Sequence, residues 1–115
     1  MNARRQLTTI RSSREIDRIF RHGRRAGTPL LSVLVRPTAG PEDPGRVAFI
    51  AGRKLGNAVF RNRCRRVLRE AVRSLGGPWD GFDVAIIARR ETASAPHAEI
   101  IAALASSLMR AEVTS

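Results

Sequence analysis

The chain has 115 residues, of which 21 are Lys or Arg and 10 are Asp or Glu, so its net charge is +11 at pH 7. The hydrophobic fraction of 43% is ordinary for a globular domain, which argues against a disordered chain. No apolar run approaches the roughly 18 residues of a transmembrane helix, and no apolar core of a secretory signal follows the basic N-terminus. A compact domain with this much positive charge repels itself, so we expect a polyanionic partner.

Almost all of the basic residues are arginines, because Lys54 is the only lysine. Arginine makes planar, bidentate contacts with phosphates and stacks on bases, whereas lysine acts as a point charge. The codon composition of a GC-rich genome would produce the same bias, so the preference for arginine over lysine has two explanations, phosphate binding and codon usage. Cys64 is the only cysteine, which excludes an internal disulfide and fits a reducing cytoplasm.

The first predicted element is a helix that begins at Ser12 or Ser13 and ends before Gly23. Ser12 and Glu15 have the spacing of a capping box. The apolar stripe at helical spacing consists of Ile16, Ile19 and Phe20. Residues 1–11 precede the helix, and we expect them to form a flexible basic arm.

Two strand-like segments follow, at residues 30–35 and 46–51. The alternation of the first segment places Leu31, Val33 and Val35 on one face, and Leu30, Ser32 and Leu34 on the other. The loop between the segments, residues 37–45, is rich in turn-forming residues. This pattern predicts an antiparallel hairpin with a long tip.

The next predicted element is a helix with Asn57 as its N-cap, which ends at the glycines and proline of residues 76–78. Its apolar side consists of Phe60, Cys64, Val67, Leu68, Ala71 and Leu75, and its opposite side of Arg61, Arg65, Arg66, Arg69 and Arg73. Exposed helix surfaces usually mix charges, because like charges four residues apart cost about a few tenths of a kcal/mol per pair. The arginine row therefore predicts contact with a phosphate backbone, with a merely solvated surface as the alternative.

A buried strand at residues 82–88 and a helix that starts at Pro96 complete the chain. The stripe of this last helix consists of Ile100, Ile101, Leu104 and Leu108. Arg89 and Arg90 directly follow the strand, either as a binding pair at the sheet end or as a charged cap that protects the strand. The order of elements predicts one domain, residues 1–115, with a sheet covered on one face by helices.

Residues for protein-based catalysis are scarce. His22 and His97 are far apart in the chain, and neither has a cysteine or carboxylate at metal-ligand spacing. Cys64 faces the predicted core, which makes it a weak nucleophile. The ten acids are scattered, and none forms an obvious pair on one helix face or at one strand end. We therefore expect no catalytic residue, no metal site and no cofactor bound by the protein alone.

Residues 52–70, GRKLGNAVFRNRCRRVLRE, closely resemble the signature of the protein subunit of bacterial ribonuclease P. Residues 14–25, REIDRIFRHGRR, are similar to the family's first helix, and residues 83–90, DVAIIARR, to its last strand and basic pair. The resemblance implies an α/β (α+β) two-layer sandwich, with helices packed on a mostly antiparallel sheet of about four strands. It also implies a left-handed βαβ crossover around the arginine-rich helix, in a fold related to a ribosomal-protein domain.

In that family the catalytic subunit is an RNA, and the cytoplasmic complex uses magnesium to remove the 5′ leader from precursor tRNA. The resemblance therefore implies a subunit of an endoribonuclease whose chemistry lies in the RNA, with the catalytic RNA and precursor tRNA as partners. The implied binding residues for the catalytic RNA are Arg61, Asn62, Arg63, Arg65, Arg66 and Arg69. Those for the leader are Ile16, Phe20, Ser32, Leu34, Arg53, Lys54, Arg89 and Arg90, which combine an aromatic ring with basic side chains.

This sequence departs from the family pattern at two places, and three alternative functions are weighed against it. Family members usually have an aromatic residue in place of Ile16, and Ser-Lys in place of Gly52-Arg53. Separately, Phe20 has an alternative interpretation as a simple core residue. A structural, ribosomal-type RNA-binding protein shares the basicity and a related fold, so it is the alternative function. A DNA-binding helix is disfavoured because residues 61–73 offer few Asn or Gln side chains to read bases. A membrane-surface role is disfavoured because the apolar side of that helix is needed for the core.

Overall fold

The structure is a computed structural model that describes residues 9–113. In this range the regular elements are α1 (Ser13–His22), β1 (Arg24–Thr28), β2 (Leu31–Pro37), β3 (Arg46–Ile50), α2 (Ala58–Ser74), β4 (Phe82–Ala88) and α3 (His97–Arg110). Two short 3₁₀ turns, Arg53–Leu55 and Arg90–Ala93, directly follow β3 and β4 along the chain.

The four strands form one mixed sheet in the order β1-β2-β4-β3. The pairs β1–β2 and β2–β4 are antiparallel, whereas β3 and β4 are parallel. The predicted hairpin between β2 and β3 is therefore wrong, because β4 lies between them. Residues 84–88 of β4 form an uninterrupted apolar run, which suits this central position covered on both faces. The segments β3, α2 and β4 form a βαβ unit, and the left hand expected of its crossover stays a prediction.

The strand β1 has no counterpart among the predicted elements, because its sequence, RRAGT, lacks an apolar alternation. It forms a hairpin with β2, in which Thr28 lies opposite Leu31. Residues at the C-terminal end of α3 contact the edge strand β1. Arg110 donates to the Gly27 carbonyl at 2.9 Å, and Glu112, just after the helix, forms an ion pair with Arg24. Tertiary contacts therefore compensate for the weak local preference.

One face of the sheet packs against α2 and α3 and forms the main core. Leu31, Val33 and Val35 lie on this face, so the predicted alternation of β2 is confirmed for the residues within the strand. Leu30 is an exception: it lies in the turn before β2 and packs against the same cluster. The helices contribute Cys64, Leu68, Ala71 and Val72 from α2, and Ile100, Ala103, Leu104 and Leu108 from α3.

The helix α1 lies on the opposite face of the sheet. Ile19 is fully buried there against Leu34, Ala48 and Ala85. The α+β sandwich of helices on a mostly antiparallel four-stranded sheet is therefore confirmed, with one correction: the helices do not all cover one face, because α1 forms a partial layer on the other. The part of this second face that α1 leaves open is the floor of the groove described below.

The segment before α1 is attached to the edge of the sheet. Thr9 forms a parallel bridge with Val47, and the Ile10 amide donates to the Val47 carbonyl at 2.8 Å. Ile10 is also buried in the cluster under α1. The predicted flexible arm of residues 1–11 is therefore wrong for Thr9 and Ile10, while residues 1–8 lie outside the described residues.

An ion-pair network joins α1 to β3 and β4. Arg46 donates to Asp83 at 2.9 Å and lies 2.6 Å from Glu15. The hydrogen bond from Arg46 holds the pKa of Glu15 below its usual value. This network lies at the end of the sheet where β4 begins, and it fixes the start of α1 on the open face.

Candidate RNA-binding surfaces

The arginine-rich helix α2 begins where the sequence predicts. The side chain of Asn57 accepts a hydrogen bond from the Phe60 amide at 2.9 Å, which satisfies one of the free donors at the helix start. Gly76, with a φ of +82°, follows the C-terminal end of the helix in a left-handed conformation that glycine adopts readily. Burial of one side of α2 in the core turns the other side toward solvent.

The arginines of α2 divide into two groups. Asn62, Arg63, Arg66 and Arg73 are exposed, whereas Arg61, Arg65 and Arg69 are half-buried. The reason is helical geometry: a step of four residues rotates about 40° beyond a full turn, so an i, i+4 row spirals around the helix. The row that starts at Arg61 therefore begins beside the core and reaches solvent only at Arg73. The prediction that the whole row lies opposite the core is corrected in this respect.

The half-buried arginines contact β3 and the segment that follows it. Arg65 donates to the Asn62 side chain at 2.8 Å and to the Ala51 carbonyl at 3.5 Å. The Arg69 guanidinium lies 5.1 Å from the centre of the Phe49 ring, a cation–π distance. These contacts orient three of the six predicted RNA-binding side chains: Asn62, Arg65 and Arg69. Within residues 9–113, no carboxylate forms an ion pair with an arginine of α2.

The predicted leader-binding residues of α1 and β2 differ in accessibility. The Phe20 side chain is exposed (45% of its surface), so the interpretation of Phe20 as a simple core residue is wrong. Ile16 is half-buried against the cluster under α1. Leu34 is only 3% exposed, because Ile19 covers it. Leu34 therefore does not line an open surface, which corrects its predicted role as floor of the cleft.

The parallel pairing of β3 and β4 brings two basic segments to the same end of the sheet. Arg53 and Lys54 are exposed in the 3₁₀ turn after β3, and Arg89 and Arg90 are exposed directly after β4. Parallel strands end at the same edge, so segments far apart in the sequence become neighbours. Leu55, which ends the first turn, lines the same groove as the arginine pair.

This groove has a volume of about 510 Å³ on the open face of the sheet. Ser32 lies in its floor and accepts a hydrogen bond from the Arg89 guanidinium at 2.6 Å. The Arg89 side chain therefore lies across the sheet toward Ser32, and does not project away from the end of β4 as a charged cap that protects the strand. The lining residues are Arg25, Pro29, Ser32, Leu55, Ile87, Ala88, Arg89, Arg90 and Glu91.

A buried threonine positions the Arg89 backbone. The Thr92 hydroxyl accepts from the Arg89 amide at 2.8 Å and donates to the Leu30 carbonyl at 2.6 Å. Thr92 has no exposed surface. The sequence alone did not single out Thr92, which lies in no recognised motif. Nor did it single out Arg25, which ends the segment similar to the family's first helix but is not among the implied binding residues. The only local signal for the turn that fixes Arg89 was the segment ETA, residues 91–93, which places a threonine hydroxyl three residues after Arg89.

The described residues offer little for protein-based chemistry. Cys64 is fully buried, and burial raises the pKa of its thiol, so the nucleophilic thiolate is disfavoured. No group of three or more His, Cys, Asp or Glu side chains within residues 9–113 could hold a metal ion. In the same range, no helix is long and apolar enough to cross a membrane.

The fold and these surfaces define a small α+β nucleic-acid-binding protein with two separate cationic surfaces. The family model described as Ribonuclease P matches residues 5–112 of the chain. A ribonuclease P protein component from Gluconacetobacter diazotrophicus is 36% identical over 106 residues, which is 90% of each chain. One from Symbiobacterium thermophilum is 49% identical over 61 residues, which is 50% of each chain.

Solved structures agree with these relatives. The RNase P protein from Thermotoga maritima superimposes with a TM-score of 0.75 at 27% identity, covering 92% of this chain and 97% of that one. The Staphylococcus aureus RNase P protein, at 24% identity, supports the fold with a TM-score of 0.79 and coverage of 96% and 100%. The chain therefore belongs to the ribonuclease P family. The interpretation of the sequence as a tRNA-processing ribonuclease P protein is confirmed at that level.

Proposed function

We propose that α2 binds the catalytic RNA of a cytoplasmic ribonuclease P, and that the groove on the open sheet face binds the 5′ leader of precursor tRNA. The observation that carries this proposal is the separation of two cationic surfaces on opposite sides of one sheet. One is a convex helix with exposed arginines, and the other is a groove in which Arg89 is anchored on Ser32. Two surfaces suit two RNA segments held at the same time.

The α2 surface is suited to a folded RNA backbone. Arg63, Arg66 and Arg73 are exposed and have no carboxylate partner within the described residues, so their charge is available to phosphates. Asn62 adds a neutral amide to the same surface. Contacts of this kind fix the position and orientation of a protein on RNA without reading bases. A convex helix fits a structured RNA better than an extended strand.

The groove is suited to a single strand of RNA. Its walls supply Arg89 and Arg90, and Phe20 supplies an exposed ring on α1, the helix that partly covers the same sheet face. Sequence-tolerant single-strand binding combines a basic groove with aromatic rings on which bases stack. Arg53 and Lys54 lie in the turn whose last residue, Leu55, lines the groove, so they extend its positive charge.

Cleavage of the precursor is assigned to the RNA subunit. Within the described residues, no group of three or more His, Cys, Asp or Glu side chains could hold a metal ion by itself, which supports this assignment. Cys64 is a buried thiol with a raised pKa, and we assign it to the core. The protein's part in the reaction is therefore to bind and position the substrate beside the catalytic RNA.

Reconstitution tests this proposal. The purified protein is mixed with a bacterial ribonuclease P RNA and a 5′-extended precursor tRNA, at low millimolar magnesium where the RNA alone works poorly. We expect the protein to restore cleavage at the mature 5′ end, and the protein alone to be inactive. Failure to restore cleavage, together with tight binding to another structured RNA, would favour a structural RNA-binding protein and refute the leader-binding role.

A further inference from the structure

The groove continues past the predicted leader-binding residues, onto β1 and the turn that joins β1 to β2. A second depression, of about 590 Å³, adjoins the first. Both have Arg25, Pro29, Ser32 and Arg89 in their walls, and residues 26–28 complete the second. The anchored Arg89 therefore lies in the middle of a longer groove, and Arg25 extends its basic lining onto β1.

The register of the sheet places Arg25 on the groove side. Arg25 lies opposite Leu34 in the β1–β2 pair, and Gly27 lies opposite Ser32. Directly opposed residues of an antiparallel pair share a face of the sheet. Arg25 therefore projects from the same face as Ser32, whose hydroxyl holds Arg89.

Gly27 keeps the space beside this hydroxyl open. A Cβ atom at position 27 would come within 2.9 Å of the Ser32 Oγ, too close for the hydroxyl to keep its place. That hydroxyl accepts the 2.6 Å hydrogen bond from Arg89. Glycine within a strand often marks a place where a ligand or another chain comes close. Here it leaves the floor clear along the second depression, beside Arg25 and Arg89.

The charge of Arg25 is not compensated within residues 9–113. Arg25 is exposed and forms no ion pair there, whereas its neighbour Arg24 is paired with Glu112. Arg24 lies opposite Val35 and so projects from the other face of the sheet. Glu91 is the only acid among the lining residues, and it lines the first depression but not the second.

We propose that Arg25 binds a phosphate of the precursor leader, beyond the phosphates held by Arg89 and Arg90. This inference rests on the proposed function, because it extends the same groove. A guanidinium forms bidentate, charge-assisted hydrogen bonds with a phosphate and does not read the base attached to it. Arg25 therefore makes affinity depend on leader length, since only a leader that extends past Arg89 reaches β1.

The test compares holoenzymes reconstituted with the wild-type protein or with Arg25→Ala. Dissociation constants are measured for precursor tRNAs whose leaders range from one nucleotide to about ten nucleotides, a span that matches single-strand binding sites. With long leaders we expect Arg25→Ala to weaken binding roughly five- to tenfold, as for the loss of one typical hydrogen bond at an exposed site. The salt slope should fall by about 0.7 for the one phosphate lost. With the shortest leader, the two proteins should bind equally.

Arg24→Ala is the matched control, because it removes the same charge from the adjacent residue on the opposite face. It should bind precursors of every leader length like the wild type. An Arg25→Ala loss that is independent of leader length, no loss at all, or an equal loss in Arg24→Ala would overturn the assignment of Arg25.

The failure of this inference is distinguishable from that of the proposed function. If the wild-type protein does not restore cleavage by the catalytic RNA, both fail. If it restores cleavage and Arg25→Ala binds long leaders like the wild type, only the role of Arg25 fails. Arg25 is exposed, so the thermal unfolding midpoint of Arg25→Ala should match that of the wild type and exclude misfolding.

Discussion

The α2 surface and the groove are both basic, but the chain builds them in different ways. The α2 arginines come from one continuous helix, and Arg63 and Arg66 extend freely into solvent. The groove is assembled from β1, β2 and the turns after β3 and β4, and its central cation, Arg89, is held by Ser32. A surface for folded RNA needs positive charge at the right spacing and tolerates mobile side chains. A groove for a flexible single strand needs cations that are already in place.

The largest expected effect tests the helix surface. Arg63→Ala combined with Arg66→Ala should weaken assembly with the catalytic RNA roughly ten- to a hundredfold and reduce the salt slope by about two units, because two phosphate contacts are lost. Filter binding across a salt series measures both quantities. Arg14→Ala with Arg18→Ala removes equal charge from α1 and should leave assembly nearly unchanged. Equal effects of the two pairs would mean that net charge, not the α2 surface, governs assembly.

A smaller effect is expected in the groove. Phe20→Ala should weaken precursor binding roughly tenfold, because stacking of a base on an aromatic ring contributes about 1–3 kcal/mol. Assembly with the catalytic RNA should not change, since Phe20 is not part of α2. Met109→Ala, which shortens another exposed apolar side chain, on α3, is the control and should bind precursor normally. A loss of assembly in Phe20→Ala would erase the distinction between the two surfaces.

The smallest expected effect on RNA binding tests how Arg89 is positioned. Thr92→Val removes the hydroxyl and leaves the Arg89 amide and the Leu30 carbonyl without their partner, which costs about 1–3 kcal/mol of stability. The melting temperature should fall by roughly 4–8 °C per kcal/mol. Precursor affinity should fall severalfold, with binding of the catalytic RNA preserved.

Ser94→Ala is the comparison for Thr92→Val, because it removes an exposed hydroxyl just after the same turn. It should change neither the melting temperature nor the affinity measurably. If Thr92→Val lowers the melting temperature but leaves precursor affinity intact at a temperature where it is folded, Arg89 does not need to be positioned by its backbone.

The sequence by itself determined the elements whose signals are local. The N-cap Asn57, the buried side of α2 and the alternation of β2 follow from the spacing of residues along the chain, and the structure has all three. The α2 surface was predicted for the same reason, since its arginines are close together in sequence. The division between exposed and half-buried arginines follows from helical geometry, because each step of four residues rotates about 40° beyond a full turn.

Only the tertiary structure decided the sheet order and the groove. The insertion of β4 between β2 and β3 depends on which apolar faces pack best together, and no short segment encodes that choice. The strand β1 forms because α3 and β2 hold it, although RRAGT has little strand preference of its own. Arg25, Ser32, Arg89 and Thr92 are up to 67 residues apart, as the numbering from 25 to 92 gives. They meet because strand pairing, a long-range interaction, places the start of β2 beside the end of β4.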